Sequence, residues 1–141
     1  MNTSQIFTKK LIAEGKKGSI VNFSSAGSKK GTPSAVLYCS LKAGLDHLTR
    51  NMAVELAAFN IRVNAINPGV VLTAMMAECG EEHAGKYGVH LNLEDVLRRV
   101  PSPNKTVNMS DIVNIVLFLL SDAAVALIGN TVCVDGGLSI A

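Results

Sequence analysis

Hydrophobic residues recur along this chain with two alternating spacings, one of a helix and one of a strand. Ile6, Phe7, Leu11 and Ile12 fall on about one helical face, and Gly15 and Gly18 bracket the end, so the pattern predicts a helix over Thr3–Glu14. Ser19–Phe23 is a short apolar run rich in β-branched residues, bounded by Gly18 and Ser24-Ser25, and predicts a buried strand. Two glycines, two lysines and Pro33 make 26–34 a loop. Leu41, Leu45, Leu48, Met52 and Leu56 then step by threes and fours through an uninterrupted helix over Val36–Phe59. Ile61–Asn67 is strand-like and stops at Pro68-Gly69. The stretch Leu72–Pro103 is irregular and more charged, with an amphipathic patch at Leu93–Val100. Ser110-Asp111 makes a helix N-cap, continued by Ile112, Ile115, Val116, Leu119 and Leu120, and Thr131–Asp135 is a last strand closed by Gly136-Gly137.

Helix and strand therefore alternate three times. Strands that are apolar on both faces and joined by helices imply an α/β fold with a parallel sheet covered on each side. A doubly wound nucleotide-binding sheet begins with a strand, a glycine-rich turn and a helix. This chain opens inside a helix and holds no GxGxxG, so it reads as the second half of a longer fold.

Composition narrows the function classes. The 141 residues are 48% hydrophobic and 17% charged, which suits one compact domain. Thirteen basic and 11 acidic residues are interspersed and leave a net charge of +2. With no Trp, two Tyr and four Phe there is neither a basic stripe nor a stacking platform, so nucleic-acid binding is not expected. Cys39, Cys79 and Cys133 are scattered and read as free thiols in a reducing compartment. His47, His83 and His90 have no companion ligands, so no metal site is expected. Met1–Lys10 lacks the apolar core of a leader, and Ile112–Leu120 is too short to cross a bilayer; the expectation is a soluble cytoplasmic protein without a membrane partner.

The candidate chemistry lies in Ser25, Tyr38 and Lys42. Tyr38 and Lys42 are four apart near the start of the long helix and share a face. Taken alone, such a pair is most simply two side chains wetting their tips at the surface. Ser25 changes that balance, because it sits just past the carboxyl end of a strand, where open α/β sheets bind ligands. A phenol ordinarily titrates near pH 10. A neighbouring ammonium favours the phenolate, so Lys42 is expected to lower the Tyr38 pKa and let Tyr38 exchange a proton with a carbonyl oxygen. Ser25 would orient the same oxygen.

Asn22-Phe23-Ser24-Ser25, Tyr38-x-x-x-Lys42, Ile61 to Gly69 and Val134-Asp135-Gly136-Gly137, in that order, resemble the short-chain dehydrogenase/reductases over nearly the whole chain. Ser4-Gln5-Ile6, Leu11-Ile12-Ala13, Val36–Ser40, Ile61–Val71 and Leu117–Asp122 look like that family's dicarbonyl/L-xylulose reductase subgroup, the tetrameric carbonyl reductases. The resemblance implies a Rossmann-like doubly wound parallel sheet whose N-terminal nucleotide-binding half is missing. Residues 1–141 would then be the C-terminal portion of a single domain. The residues selecting NADP over NAD, and an asparagine that organises a proton-relay water, would precede Met1.

The resemblance further implies NADP, with NAD as the alternative cofactor, and reduction of a ketone, α-dicarbonyl or ketose to an alcohol. Ser25, Tyr38 and Lys42 take its catalytic positions. Tyr38, Lys42, Pro68, Gly69, Val71 and Thr73 take its cofactor positions, although a plain strand-ending turn also explains Pro68-Gly69. Asn22 and Asn64 are read as backbone supports. Ala26, Thr32, Pro33, Ser34 and Ala35 would line the pocket mouth, and Leu72–Pro103 would be a lid whose Met75, Met76, Cys79, Tyr87 and His90 face a ligand or pack on the sheet. A steroid or β-ketoacyl reductase is the competing enzymatic reading. In the family the helix before Ser19 and the helix of Tyr38 form subunit interfaces, which implies a dimer or tetramer. A non-catalytic fragment pairing with full-length subunits is the competing reading from another class.

Overall fold

A computed structural model describes residues 2–33, 35–73 and 92–141. Ser34 lies outside them, as do Met75, Met76, Cys79, His83, Tyr87 and His90 of the expected lid. The elements are α1 (Asn2–Ala13), β1 (Gly18–Phe23), α2 (Val36–Ala57), β2 (Ile61–Pro68), α3 (Leu93–Arg99), α4 (Met109–Leu120) and β3 (Thr131–Val134). Short 3-10 turns occupy Ala26–Ser28, Asp122–Ala124 and Leu138–Ile140.

The three strands form a parallel sheet in the order β1-β2-β3. β1 and β2 run in register from Gly18↔Ile61 to Phe23↔Ile66, and β3 joins from Ala65↔Thr131 to Pro68↔Val134. Central β2 is the most buried element, and Ile61, Val63, Ala65 and Ile66 are inaccessible. Alternation along a strand sends successive side chains to opposite faces. Asn67 therefore meets Asp46 of α2 on one face, while Ile66 packs with Ile112 and Leu119 of α4 on the other. The α4 side carries the larger core, which Val21, Val132 and Val134 extend. A smaller core of Ala26, Val70, Val100 and Leu138 seats α3.

Polar side chains fix the connections. Asn64, fully buried, donates from Nδ2 to the Leu127 carbonyl at 2.8 Å and accepts the Asn130 N–H at 3.0 Å, so it positions the turn that leads into β3. Arg62 donates to the Leu119 and Ser121 carbonyls at 2.8 and 2.9 Å, satisfying acceptors that the end of α4 leaves open. Asn22, by contrast, donates to the Thr49 hydroxyl of α2 at 2.9 Å and so supports a side chain, not backbone.

Element ends shift from the sequence pattern by a residue or two. α4 begins at Met109 because Asp111 reaches back to accept the Asn108 N–H at 3.1 Å, which leaves Ser110 inside the first turn. β3 stops at Val134 because the Asp135 carboxylate turns to accept the N–H groups of Gly137 and Ser139 at 2.9 and 2.8 Å. No helix among the described residues is long and apolar enough to cross a membrane.

Candidate active site

The carboxyl end of β1 supplies the first group. Ser24 still pairs with the sheet, donating its N–H to the Ile66 carbonyl at 2.8 Å, and its hydroxyl donates to the Lys42 carbonyl at 3.1 Å. The chain then turns, and Ser25 caps the 3-10 turn, its Oγ accepting the Gly27 N–H at 3.1 Å. Lys42 answers from α2, where its Nζ donates to the Phe23 carbonyl at 2.8 Å. These bonds pin the end of β1 to the helix that carries Tyr38.

Tyr38 lies in the first turn of α2, 52% exposed. The Lys42 ammonium sits 5.7 Å from the centre of its ring, within cation–π range. Gly27 marks where Ser25 and Tyr38 approach. A methyl group there would come within 3.4 Å of Ser25 Oγ and 3.7 Å of Tyr38 Cε1, so the two side chains flank the same point. The structure thus brings Ser25, Tyr38 and Lys42 together at the carboxyl edge of the sheet.

Gly27 also borders a cavity of about 120 Å³. Ala26, Lys30, Thr32 and Pro33 wall it from the loop, and Val96 and Arg99 of α3 close the far side. The space is thus lined by both apolar and charged groups. Of the residues expected at a pocket mouth, Ala26, Thr32 and Pro33 line it.

Pro68 and Gly69 stand at the carboxyl end of β2. Pro68 pairs with Val134, and the Gly69 N–H donates to the Val134 carbonyl at 3.0 Å. A Cβ on Gly69 would lie 2.7 Å from Asp135 Cα and 2.9 Å from its carbonyl oxygen, so close backbone approach to β3 by itself requires glycine. Val71 turns its side chain to the α4 core, and Thr73 is half-buried at the end of the described stretch.

A buried polar cluster behind Ser25 escaped the sequence reading. Asp46, 2% exposed, accepts from Ser28 Oγ at 2.7 Å, from Lys29 Nζ at 2.8 Å and from Asn67 Nδ2 at 3.0 Å. Asn67 Nδ2 also lies 3.1 Å from the Ser25 carbonyl, and Ser28 Oγ lies 2.7 Å from the same oxygen. Burial works to raise the Asp46 carboxyl, but donation by Lys29 and then by neighbouring hydroxyls and the Asn67 amide holds it below its ordinary value. The spacing carried a usable signal, because Asp46 is four residues past Lys42 and shares its helical stripe.

A family model described as enoyl-(acyl carrier protein) reductase, one of the short-chain dehydrogenase/reductase group, matches residues 1–139. The chain belongs to the short-chain dehydrogenase/reductase family. Human L-xylulose reductase is 41% identical over 138 residues, covering 97% of this chain and 53% of that protein. D-erythrulose reductase of Gallus gallus is 38% identical over 140 residues, covering 99% of this chain and 54% of that protein. The gluconate 5-dehydrogenase of Burkholderia cenocepacia, solved with NADP and tartrate, superposes with a TM-score of 0.83 at 26% identity, covering 99% of this chain and 51% of that one. The fold is thus the Rossmann-like one of this family, and the chain spans about half the length of the relatives it matches.

The chemistry of the donor set is compatible with the nicotinamide end of such a cofactor: a phenol and an ammonium lie side by side near the carboxyl end of β1, and the Pro68-Gly69 turn ends the neighbouring strand. A glycine-rich strand–turn–helix, which would hold the pyrophosphate, does not occur in the sequence.

Proposed function

We propose that this short-chain dehydrogenase/reductase interconverts a small carbonyl compound and its alcohol, with Tyr38 as the proton donor and acceptor. The supporting observation is that Ser25 and Tyr38 flank one point at the carboxyl edge of a parallel sheet, with the Lys42 ammonium over the Tyr38 ring. A nicotinamide cofactor, NADP in this reading, supplies the hydride when bound, held at its nicotinamide end by Tyr38, Lys42, Pro68, Gly69, Val71 and Thr73. Ser25 Oγ donates to the carbonyl oxygen and keeps it within reach of the phenol. Tyr38 gives its proton to that oxygen in reduction and takes it back in oxidation. Lys42, its ammonium over the Tyr38 ring and bonded to the Phe23 carbonyl, holds a positive charge beside the phenol where the proton is exchanged.

The names of the relatives favour a ketose as substrate, L-xylulose among them, and an α-dicarbonyl or simple ketone belongs to the same proposal. In the same reading, residues 1–141 form the C-terminal portion of a single domain in a cytoplasmic homo-oligomer. Exposed Ile6 and Phe7 of α1 and Leu37 and Leu41 of α2 support association with another subunit.

Incubating the purified chain with NADPH and either diacetyl or L-xylulose, and following nicotinamide absorbance, tests the reading. Turnover that falls roughly 10²- to 10⁴-fold in Tyr38→Phe, with NADPH binding retained, supports it. Unchanged turnover in Tyr38→Phe sinks it. Absence of NADPH binding at millimolar concentration also removes it for this chain and favours the fragment that associates with other subunits.

A further inference from the structure

We propose that Asp46 is a positioning residue that sets where Ser25 stands relative to Tyr38 and Lys42. The inference rests on the oxidoreductase reading for its meaning, but its geometry is independent of it. Asp46 occupies the same stripe of α2 as Lys42 and Tyr38, two turns in from Tyr38. Its carboxylate accepts from Ser28 in the turn after β1 and from Asn67 at the end of β2. Asn67 Nδ2 also donates to the Ser25 carbonyl at 3.1 Å, and Ser28 Oγ stands 2.7 Å from that oxygen, its single proton shared between the carbonyl and the Asp46 carboxylate. One buried group therefore joins the helix of the phenol and ammonium, the turn of the serine hydroxyl and the strand that leads to Pro68-Gly69. Lys29 completes the cluster, bridging from the carboxylate to the Thr131 hydroxyl of β3 at 2.8 Å.

Among the described residues, no other hydrogen bond joins Ser28 of this turn to α2. The Gly27 N–H to Ser25 Oγ bond and the Ser28 N–H to Ser25 carbonyl bond lie within the turn and leave its tilt against α2 free. Asn67 has its amide nitrogen among the Asp46 oxygens, Ser28 Oγ and the Ser25 carbonyl, so its orientation is set by acceptors on every side. Without the carboxylate, Ser28 and Asn67 lose the anchor that ties them to α2, and the hydrogen bonds to the helix that remain among the described residues come from the β1 side, through Asn22, Ser24 and Lys42. A displacement of about 1 Å at a reacting group lowers turnover by roughly 100-fold.

Cys39 offers a readout that needs no activity. It is a free, half-buried thiol on α2, and a methyl group at Gly27 would lie 3.1 Å from its Sγ, so the Ser25–Ser28 turn covers it. The experiment measures alkylation of Cys39 by iodoacetamide, mapped by mass spectrometry, in wild type, Asp46→Ala, Asp46→Asn and Ser28→Ala. Leu119→Ala, a fully buried position on the opposite face of the sheet, is the control for general loss of stability. In parallel, kcat and KM are read with NADPH and diacetyl.

Alkylation of Cys39 is expected to rise about tenfold in Asp46→Ala and less in Asp46→Asn and Ser28→Ala, the scale that loss of one buried hydrogen bond gives to a local opening. Leu119→Ala, although its melting temperature falls at least as far, is expected to stay within about twofold of wild type, because it leaves the α2 face packed. Where the chain turns over substrate, kcat falls in Asp46→Ala with KM for NADPH unchanged. Cys39 alkylation in Asp46→Ala that matches wild type, or that Leu119→Ala equals, overturns the proposal. A wild-type chain without turnover removes the oxidoreductase reading alone, and the Cys39 rates still decide the role of Asp46.

Discussion

The same change, glycine to alanine, is expected to have opposite effects at Gly69 and Gly44. At Gly69 the added methyl carbon would stand 2.7 Å from Asp135 Cα, 2.9 Å from its carbonyl oxygen and 3.0 Å from its Cβ. All three atoms belong to or adjoin the backbone that leaves β3, so no rotamer change relieves the clash. Relief requires the ends of β2 and β3 to part, against the Pro68↔Val134 pairing and the Gly69 N–H to Val134 carbonyl bond of 3.0 Å. Overpacking of this kind costs about 1–3 kcal/mol, and a strained hydrogen bond adds about 1 kcal/mol. The smaller entropy of an unfolded alanine returns about 0.4–1 kcal/mol. Gly69→Ala should therefore lose about 1–3.5 kcal/mol of stability.

Gly44 sits inside α2, and a methyl group there meets nothing within 4 Å. Only backbone entropy and helix propensity change, a gain of about 0.5–1 kcal/mol. Urea and thermal unfolding, each followed by far-UV circular dichroism at one fixed protein concentration, measure both. At about 4 °C per kcal/mol for a chain of this size, melting temperatures should separate by roughly 6–18 °C, with wild type between them. Gly69→Ala that melts with wild type, or that moves in the same direction as Gly44→Ala, refutes the claim that backbone approach to Asp135 demands glycine there.

Asn64→Ala removes a buried side chain that serves both the Leu127 carbonyl and the Asn130 N–H, and each partner is left short of a bond. A loss of about 2–4 kcal/mol is expected in the same unfolding assay, because unsatisfied buried groups cost about 1–3 kcal/mol apiece. Acid should destabilise the chain through Asp46 and Asp135. Burial works to raise the Asp135 carboxyl too, but donation by Ser139 and the Gly137 N–H outweighs it, and both carboxyls end below their ordinary value. A folded pKa below the unfolded one contributes stability that is present above about pH 4 and lost as pH falls through the depressed value. Urea midpoints measured from pH 6 down to about 2.5 should therefore drop along that limb, and Asp135→Asn should flatten it.

The sheet was legible in the sequence because its strands announce themselves twice, by β-branched residues and by what stops them. Gly18 and Ser24-Ser25 bound β1, and Pro68-Gly69 ends β2, so those limits hold to within a residue. The helix starts were less clear. Ser110-Asp111 and Asn108 are equally plausible caps by residue type, and only Asp111 reaching back to the Asn108 N–H decides between them. Helical periodicity, being local, put Tyr38 and Lys42 on one face, but spacing alone read as a surface pair, and only Ser25 at the strand end and the family resemblance made them candidates. Of the Asp46 cluster only the helical spacing of Asp46 from Lys42 was legible; its partners Ser28 and Asn67 were not, because they are distant in sequence and polar residues of no special spacing. Their meaning arises only when β1 and β2 align.

That alignment explains why the candidate residues converge at all. Phe23 pairs with Ile66, so Ser25, just beyond β1, and Asn67-Pro68, the last residues of β2, emerge at the same level of the sheet. A crossover helix after β1 begins at that carboxyl edge, which places the first turns of α2, with Tyr38 and Lys42, above the same point. Register is thus part of the site. A slip of one residue in β2 would send Asn67 to the α4 face and present Ile66 or Pro68 to the Asp46 carboxylate. The carboxylate would then be buried against an apolar neighbour, a cost of several kcal/mol for a charge left without its partners. Asp46 and Asn67 therefore penalise the slipped sheet, and the pair that orients the Ser25 turn also specifies the strand alignment that brings it there.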